Sequence, residues 1–177
     1  MMRRTPRDVI SSDSVLSPGR VIRVAIALGS NIGDRRSHIE FAIKRLHSLL
    51  TEVVGSEVIE SEAVGGVRQP CFLNAVVVGL TGMEPGGLLR ELMLIEHERG
   101  RERSFAGAPR TLDLDLILFG DRIVDEVDLQ VPHPRFRERH FVVGPLAEIA
   151  PNIRDPLSGL TAHQLRVKLE ATQSYCG

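Results

Sequence analysis

Between Arg110 and Leu116 the chain reads Arg-Thr-Leu-Asp-Leu-Asp-Leu. Acids alternate with leucines, and a period of two belongs to a strand, whose successive side chains face opposite ways. In a helix Asp113 and Asp115 would lie roughly 200° apart and could not share a site. As a strand, the segment sends Leu112, Leu114 and Leu116 into a core and sets both carboxylates on the other face. Neighbouring carboxylates repel unless a cation neutralises them. Mg2+ takes one or two carboxylates together with substrate phosphates. Taken alone, the alternation fits the solvated face of an edge strand as well. Just upstream, Arg99, Arg101, Arg103 and Arg110 bracket a loop in which Glu102 is the counter-charge. Guanidinium forks match phosphate oxygens, and Gly100 and Gly107 let the loop bend and close. A basic loop leading into two metal-type carboxylates suits phosphoryl transfer; a solvated charged loop is the plain alternative.

The rest of the chain supplies a frame for that strand. Val21–Leu28 is apolar and β-branched and predicts a strand near a sheet centre. Gly29–Asp34 predicts a turn. His38–Leu50 carries a helical stripe of Ile39, Ala42, Ile43, Leu46, Leu49 and Leu50. Val53–Ile59 predicts a second strand, Gly65–Pro70 a loop and Phe72–Leu80 a third strand. Pro85 opens a second helix, where its missing N–H does no harm, and that helix runs to about Gly100. Leu112–Phe119 is the fourth strand, and Gly120-Asp121 predicts a hairpin turn back to Ile123–Val124. Val127–Val131 can form a further short strand, and helical segments cover Arg139–Ile149 and Thr161–Leu169. The order β-α-β-β-α-β predicts an α+β, ferredoxin-like core with a mostly antiparallel sheet, helices on one face and extra C-terminal helices.

Length and composition close off other classes. The 177 residues suit one domain, expected over 21–177. Met1–Arg20 is polar, punctuated by Pro and Ser, and lacks the apolar core of a secretory signal, so a disordered tail is expected. A formal net charge of −1 gives no electrostatic footprint for nucleic acid. No apolar run approaches the ~20 residues of a membrane helix. Two cysteines make no disulfide framework and fit a reducing, cytoplasmic setting. No nucleic-acid or membrane partner is expected, and the chain is expected to act as a monomer.

Smaller motifs remain open from the residues alone. His133, between Pro132 and Pro134, is held rigidly, yet a turn histidine is often structural. Arg139 can pair with Glu138 or another surface acid. Gly29-Ser30-Asn31-Ile32-Gly33 is too short for a nucleotide-binding P-loop and lacks its lysine; it reads as a tight turn as readily as a ligand loop. No Cys/His spacing suits zinc.

Gly29-Ser30-Asn31, Phe72-Leu73-Asn74-Ala75, Pro109-Arg110-Thr111-Leu112-Asp113-Leu114-Asp115 and Val131-Pro132-His133 occur in an order that resembles the 6-hydroxymethyl-7,8-dihydropterin pyrophosphokinases of folate biosynthesis. The resemblance runs from about Val21 to about Leu169. It implies transfer of diphosphate from ATP to the pterin hydroxymethyl group, giving AMP and the pterin diphosphate. It also implies residue roles. Asp113 and Asp115 resemble ligands of two Mg2+ ions. Arg101 and Arg110 resemble loop arginines on the ATP phosphates and, with the two aspartates, the catalytic set. His133 and Arg139 resemble nucleotide-binding positions. Phe72 and Phe141 resemble an aromatic pair around a flat pterin, although core packing explains either equally well. Asn74 resembles a partner of the pterin edge, Ser61 and Val64 resemble pocket wall, and Asp113 can also accept a proton or hydrogen bond from the pterin.

The chain departs from the family pattern at Ala106-Gly107-Ala108, where many relatives carry a bulky aromatic, at Ile59–Ala63 and at Pro134. The Arg99–Pro109 loop is therefore expected to order around Mg-ATP and pterin with less apolar burial than in relatives. The rival class is a non-catalytic binding module, because the fold alone does not choose a function. RNA binders of this shape stack bases on central-strand aromatics; here acids occupy that place.

Overall fold

The computed structural model describes residues 21–63, 69–101 and 108–174. The expected N-terminal tail, Val64 and positions 102–107 of the basic loop lie outside the described residues. Strand β1 (Ile22–Ser30) runs antiparallel to β4 (Phe72–Thr81) on one side and to β5 (Asp113–Phe119) on the other. Strands β2 (Thr51–Gly55) and β3 (Ile59–Ser61) lie end to end along the far edge of β4, so the sheet order is β2-β4-β1-β5 with β3 beside β2. This is the expected ferredoxin-like order, with every pair antiparallel.

Three expectations about strands are corrected. Val53–Ile59 is not one strand. Ser56 interrupts it, because its hydroxyl accepts the Val76 N–H at 2.9 Å in place of a ladder carbonyl, and side chains of this kind compete with the ladder for backbone groups. Gly29 and Ser30 also extend β1 instead of opening the turn. The turn after β5 forms at Gly120, with a positive φ of 53°, but Val124 does not return to β5. Instead β6 (Val124–Asp125) pairs with β7 (Gln130–Val131). Burial of Leu129 and Val131 pins this hairpin against the core, and β7 then delivers His133 to β5, where its N–H meets the Ile117 carbonyl at 3.0 Å.

Helix α1 (Arg35–Leu49) starts at Asp34, whose carboxylate accepts the Ser37 N–H, the usual satisfaction of an orphan donor. Helix α2 (Pro85–Glu98) has Pro85 in its first turn. The buried stripes of both, Ile39, Ala42 and Leu46 with Leu88, Leu92 and Ile95, meet Val24, Ile26 and Leu28 of β1 in one core. The other face is not open. Helices α3 (His140–Ile149) and α4 (Ala162–Ser174) cover it, with Val142, Val143, Leu146 and Leu165 packed on Ala25, Ala27, Val76 and Ile117. The expectation of helices on a single face fails because β1 and β4 are apolar on both faces and each face needs cover. Arg137 anchors the approach to α3 with a two-pronged ion pair to the buried Asp155, at 2.6 Å on each prong. Among the described residues no helix is long and apolar enough to cross a membrane.

Candidate active site

The register of β1 with its neighbours lays out the site. Gly29 lies opposite Asn74 on one side and Asp113 on the other, and Ala27 lies opposite Val76 and Asp115. Directly paired residues share a face, so the two carboxylates, Asn74 and the small β1 residues make one floor. A cleft of about 390 Å3 opens over it, lined also by Ser61, Phe72, Arg110, Arg139 and Phe141. Leu114 and Leu116 point the opposite way, into the α1–α2 core. The alternation in the sequence has done what a strand requires of it.

Arginines hold both carboxylates. Asp113 receives Arg101 at 2.6 Å on one oxygen and Arg110 at 2.7 Å on the other. Asp115 receives Arg139 at 3.0 Å. None of these side chains is more than a third exposed, so water screens the pairs only in part. Burial pushes the Asp113 carboxyl above the ordinary carboxylate range, Asp115 adds to that, and Arg101 and Arg110 offset part of it. His133 stands 3.8 Å from Asp115, too far for a hydrogen bond. Burial pushes its ring below the ordinary value while Asp115 pulls it back in part. Two arginines also sit over the aromatics, Arg110 at 5.6 Å from Phe72 and Arg139 at 5.9 Å from Phe141, within cation–π range.

Two residues that the sequence reading left without a role tie this arrangement together. Asn31, buried behind the floor, accepts the Arg110 N–H on its amide oxygen at 2.8 Å. Its amide nitrogen donates to Gln69 at 3.0 Å and to the Pro70 carbonyl at 3.2 Å. It thereby couples the arginine side of the cleft to the segment that enters Phe72. Glu96 of α2 is a buried acid that pairs with Arg101 and accepts the Leu114 N–H at 2.8 Å, fixing β5 between the two aspartates. Asn31 belongs to a motif visible in the sequence, whereas nothing in the helical stripe of α2 distinguishes Glu96.

A family model described as 7,8-dihydro-6-hydroxymethylpterin-pyrophosphokinase matches residues 25–151. The chain belongs to this pyrophosphokinase family. It is 41% identical over 134 residues to the 2-amino-4-hydroxy-6-hydroxymethyldihydropteridine pyrophosphokinase of Aquifex aeolicus, covering 76% of this chain and 84% of that one. It is 42% identical over 136 residues to the Pseudomonas aeruginosa protein of the same name, with the same two coverages. The fold is similar to that of Plasmodium falciparum HPPK-DHPS solved with pteroate, with a TM-score of 0.67 at 12% identity. The match covers 88% of this chain but only 44% of that longer one.

Of the positions that resemblance to the pyrophosphokinase family singled out, Ser61, Phe72, Asn74, Arg110, Asp113, Asp115, Arg139 and Phe141 line one cleft. Arg101 and His133 are not in its lining but adjoin its carboxylates, Arg101 on Asp113 and His133 3.8 Å from Asp115. Ser61 accepts from the Asn74 amide at 2.8 Å, which orients that amide on the floor. Arg139 pairs with Asp115 and not with Glu138, so the surface-pair alternative is set aside. Glu62, Gln69, Arg135 and Glu138 also line the cleft and were not anticipated.

Proposed function

We propose that this chain transfers the β,γ-diphosphate of ATP to the hydroxymethyl group of 6-hydroxymethyl-7,8-dihydropterin, releasing AMP and the pterin diphosphate that feeds tetrahydrofolate synthesis. Membership of the pyrophosphokinase family supports the reaction. The observation that carries it to named residues is the single cleft in which paired carboxylates, arginines and two aromatics meet. In this reading residues 21–177 act as one cytoplasmic, monomeric domain.

The donor set suits magnesium. Asp113 and Asp115 offer hard oxygens side by side, and no group of three or more His, Cys, Asp or Glu ligands converges among the described residues, so substrate phosphates and water would complete the shell. Asp113 and Asp115 would hold two Mg2+ ions, whose chemistry there is to neutralise the triphosphate and polarise its phosphoryl oxygens.

The protein's own part is placement. Arg101, Arg110 and Arg139, which pair with the carboxylates, would stand within reach of phosphates held beside them. His133, fixed by its backbone, and Arg139 border the nucleotide. Phe72 and Phe141 sandwich the pterin while Asn74, steadied by Ser61, reads its edge; Val64 completes the wall in this reading. The pterin hydroxyl oxygen bonds to the β-phosphorus as the bond from that phosphorus to the α,β-bridging oxygen breaks; AMP leaves with that oxygen, and the hydroxyl proton passes by way of Asp113 to water. Catalysis is then positioning and electrostatics. Incubation with ATP, Mg2+ and the hydroxymethyl dihydropterin should yield AMP in proportion to pterin consumed, and chelating the metal should stop it. ADP in that proportion would overturn the diphosphate-transfer reading.

A further inference from the structure

Away from the cleft, the end of α2 is fastened to the start of α1 by one side chain. Arg99, the residue that caps α2, donates from Nε to His38 Nδ1 at 2.8 Å and from Nη2 to the Ser37 hydroxyl at 3.1 Å. Its guanidinium also lies 4.8 Å from the centre of the Phe41 ring. Three contacts to three neighbours on α1 leave the Arg99 side chain little freedom. Two residues on, after Gly100 at a positive φ of 70°, comes Arg101, which pairs with Asp113 and Glu96. Main-chain N–H groups of Arg99, Gly100 and Arg101 close the end of α2 on the Glu96 and His97 carbonyls, and the Arg99 side chain ties this closed turn, from which Arg101 reaches, to α1.

We propose that His38 is a positioning residue for the transfer: as a neutral imidazole it holds Arg99 on α1 and thereby fixes Arg101 against Asp113. The proposal rests on the transfer reading above. Arginine Nε only donates, so Nδ1 must accept and any ring proton sits on Nε2. A protonated ring is a donor at both nitrogens and a cation facing a guanidinium, so it cannot keep this bond. The charged groups that bear on the ring are Arg99 from the end of α2 and Asp34 from the cap of its own helix. Burial and then Arg99 push the ring below its ordinary value, and Asp34 pulls it back in part. The anchor thus stands at neutral pH and releases as pH falls below the usual histidine range.

His38→Leu and His38→Asn separate acceptor from packing, because the asparagine oxygen can replace Nδ1 and does not titrate. At about pH 7.5, H38L should lose about tenfold in kcat/KM for ATP, chiefly in KM, the scale of one charged hydrogen bond acting indirectly; H38N should recover most of that. Between about pH 7.5 and 5 the wild type should lose activity that H38N keeps. Arg99→Gln should match H38L and add nothing to it, and it carries the kinetic test if H38L fails to fold. Equal damage in H38L and H38N, or identical pH profiles for H38N and wild type, would overturn the proposal. Imidazole NMR on the ligand-free protein gives a readout free of turnover: R99Q should raise the His38 pKa. An unmoved His38 pKa would overturn the anchor even with AMP production intact, whereas absence of AMP from wild type at every pH would overturn the transfer reading and leave the NMR result to judge the anchor.

Discussion

Replacing Asn31 by alanine should damage both halves of the cleft at once. The substitution deletes three side-chain hydrogen bonds, one from the Arg110 N–H at 2.8 Å and two to Gln69 and the Pro70 carbonyl at 3.0 and 3.2 Å. All are partly buried, and each is worth about 1 kcal/mol net. The loss is then about 3 kcal/mol, and at about 2–4 °C per kcal/mol for a chain of this size the melting temperature should fall by roughly 6–12 °C. The return bond from the Asn31 N–H to the Arg110 carbonyl, at 3.1 Å, survives, so the fold persists. The functional loss should exceed the structural one. Arg110 loses its backbone anchor while Gln69 and Pro70 lose theirs beside Phe72, so KM should rise for ATP and for pterin, with kcat/KM down by about 10², the scale of a misplaced reacting group. Asn31→Asp is the dissecting variant. It keeps an oxygen for the Arg110 N–H but faces the Pro70 carbonyl with an acceptor, so the pterin KM should rise more than the ATP KM. Thermal melts and steady-state kinetics with each substrate varied measure all of this. A melting point within about 2 °C of wild type with both KM values unchanged would refute the clamp. Equal KM changes in N31D would refute the division into two sides.

Asp113→Ala and Asp115→Ala should each cut turnover by ~10² or more, the scale of one preorganised electrostatic group, with the fold retained. Near-full activity in either would end the shared-metal reading, and failure of either to fold would make the pair structural. For Asp155, burial raises the carboxyl's pKa but hydrogen bonds from Arg137, Ser158 and the Leu157 N–H outweigh it, leaving a net value below the ordinary one. A depressed carboxylate stabilises the fold above its unfolded pKa of about 3.9 and loses that contribution as pH falls toward the folded value. Asp155→Asn should therefore cost about 3 kcal/mol at pH 7, since it leaves Arg137 facing a neutral partner. The gap from wild type in denaturant melts should narrow below about pH 4, and a pH-independent gap would show that the charge is not the cause.

The strand carrying the aspartates was legible because its alternation has one structural meaning, and the two-sided burial of Leu114 and Asp113 follows from it. The stripes of α1 and α2 were legible for the same reason at a longer period. The cover on the second face was harder to see. The unbroken apolar run of β1 already implied two buried faces, but nothing local said which later segment would supply α3 and α4. The β6–β7 hairpin escaped because Gly120-Asp121 announces a turn and not the partner the chain turns toward. Ser56 hid its interruption of the β2–β3 edge inside a run of β-formers, since a hydroxyl's choice between water and a neighbouring N–H is settled by register. In the site, the aspartates and arginines were visible as charges in a pattern. Asn31 and Glu96 act by satisfying backbone groups from elements distant in sequence, and that work leaves no periodic trace.

The missing side chain at Gly29 has a consequence for molecules designed to block the cleft. A β-carbon there would meet Asn74 Oδ1 and Phe72 Cδ1 at 3.6 Å and Asp113 Cβ at 3.8 Å, all ordinary contacts. Its backbone is extended strand, where alanine costs less than glycine. The scaffold would accept one methyl, and the volume removed would come from the floor on which a flat ligand rests. A methyl at Gly29 therefore costs the fold little, and it takes the same volume from an inhibitor pressing on that floor as from a substrate resting there. An inhibitor anchored on Asp113 and Asp115 is harder to escape, because any change that evades it also removes the carboxylates to which the proposed transfer assigns the metal.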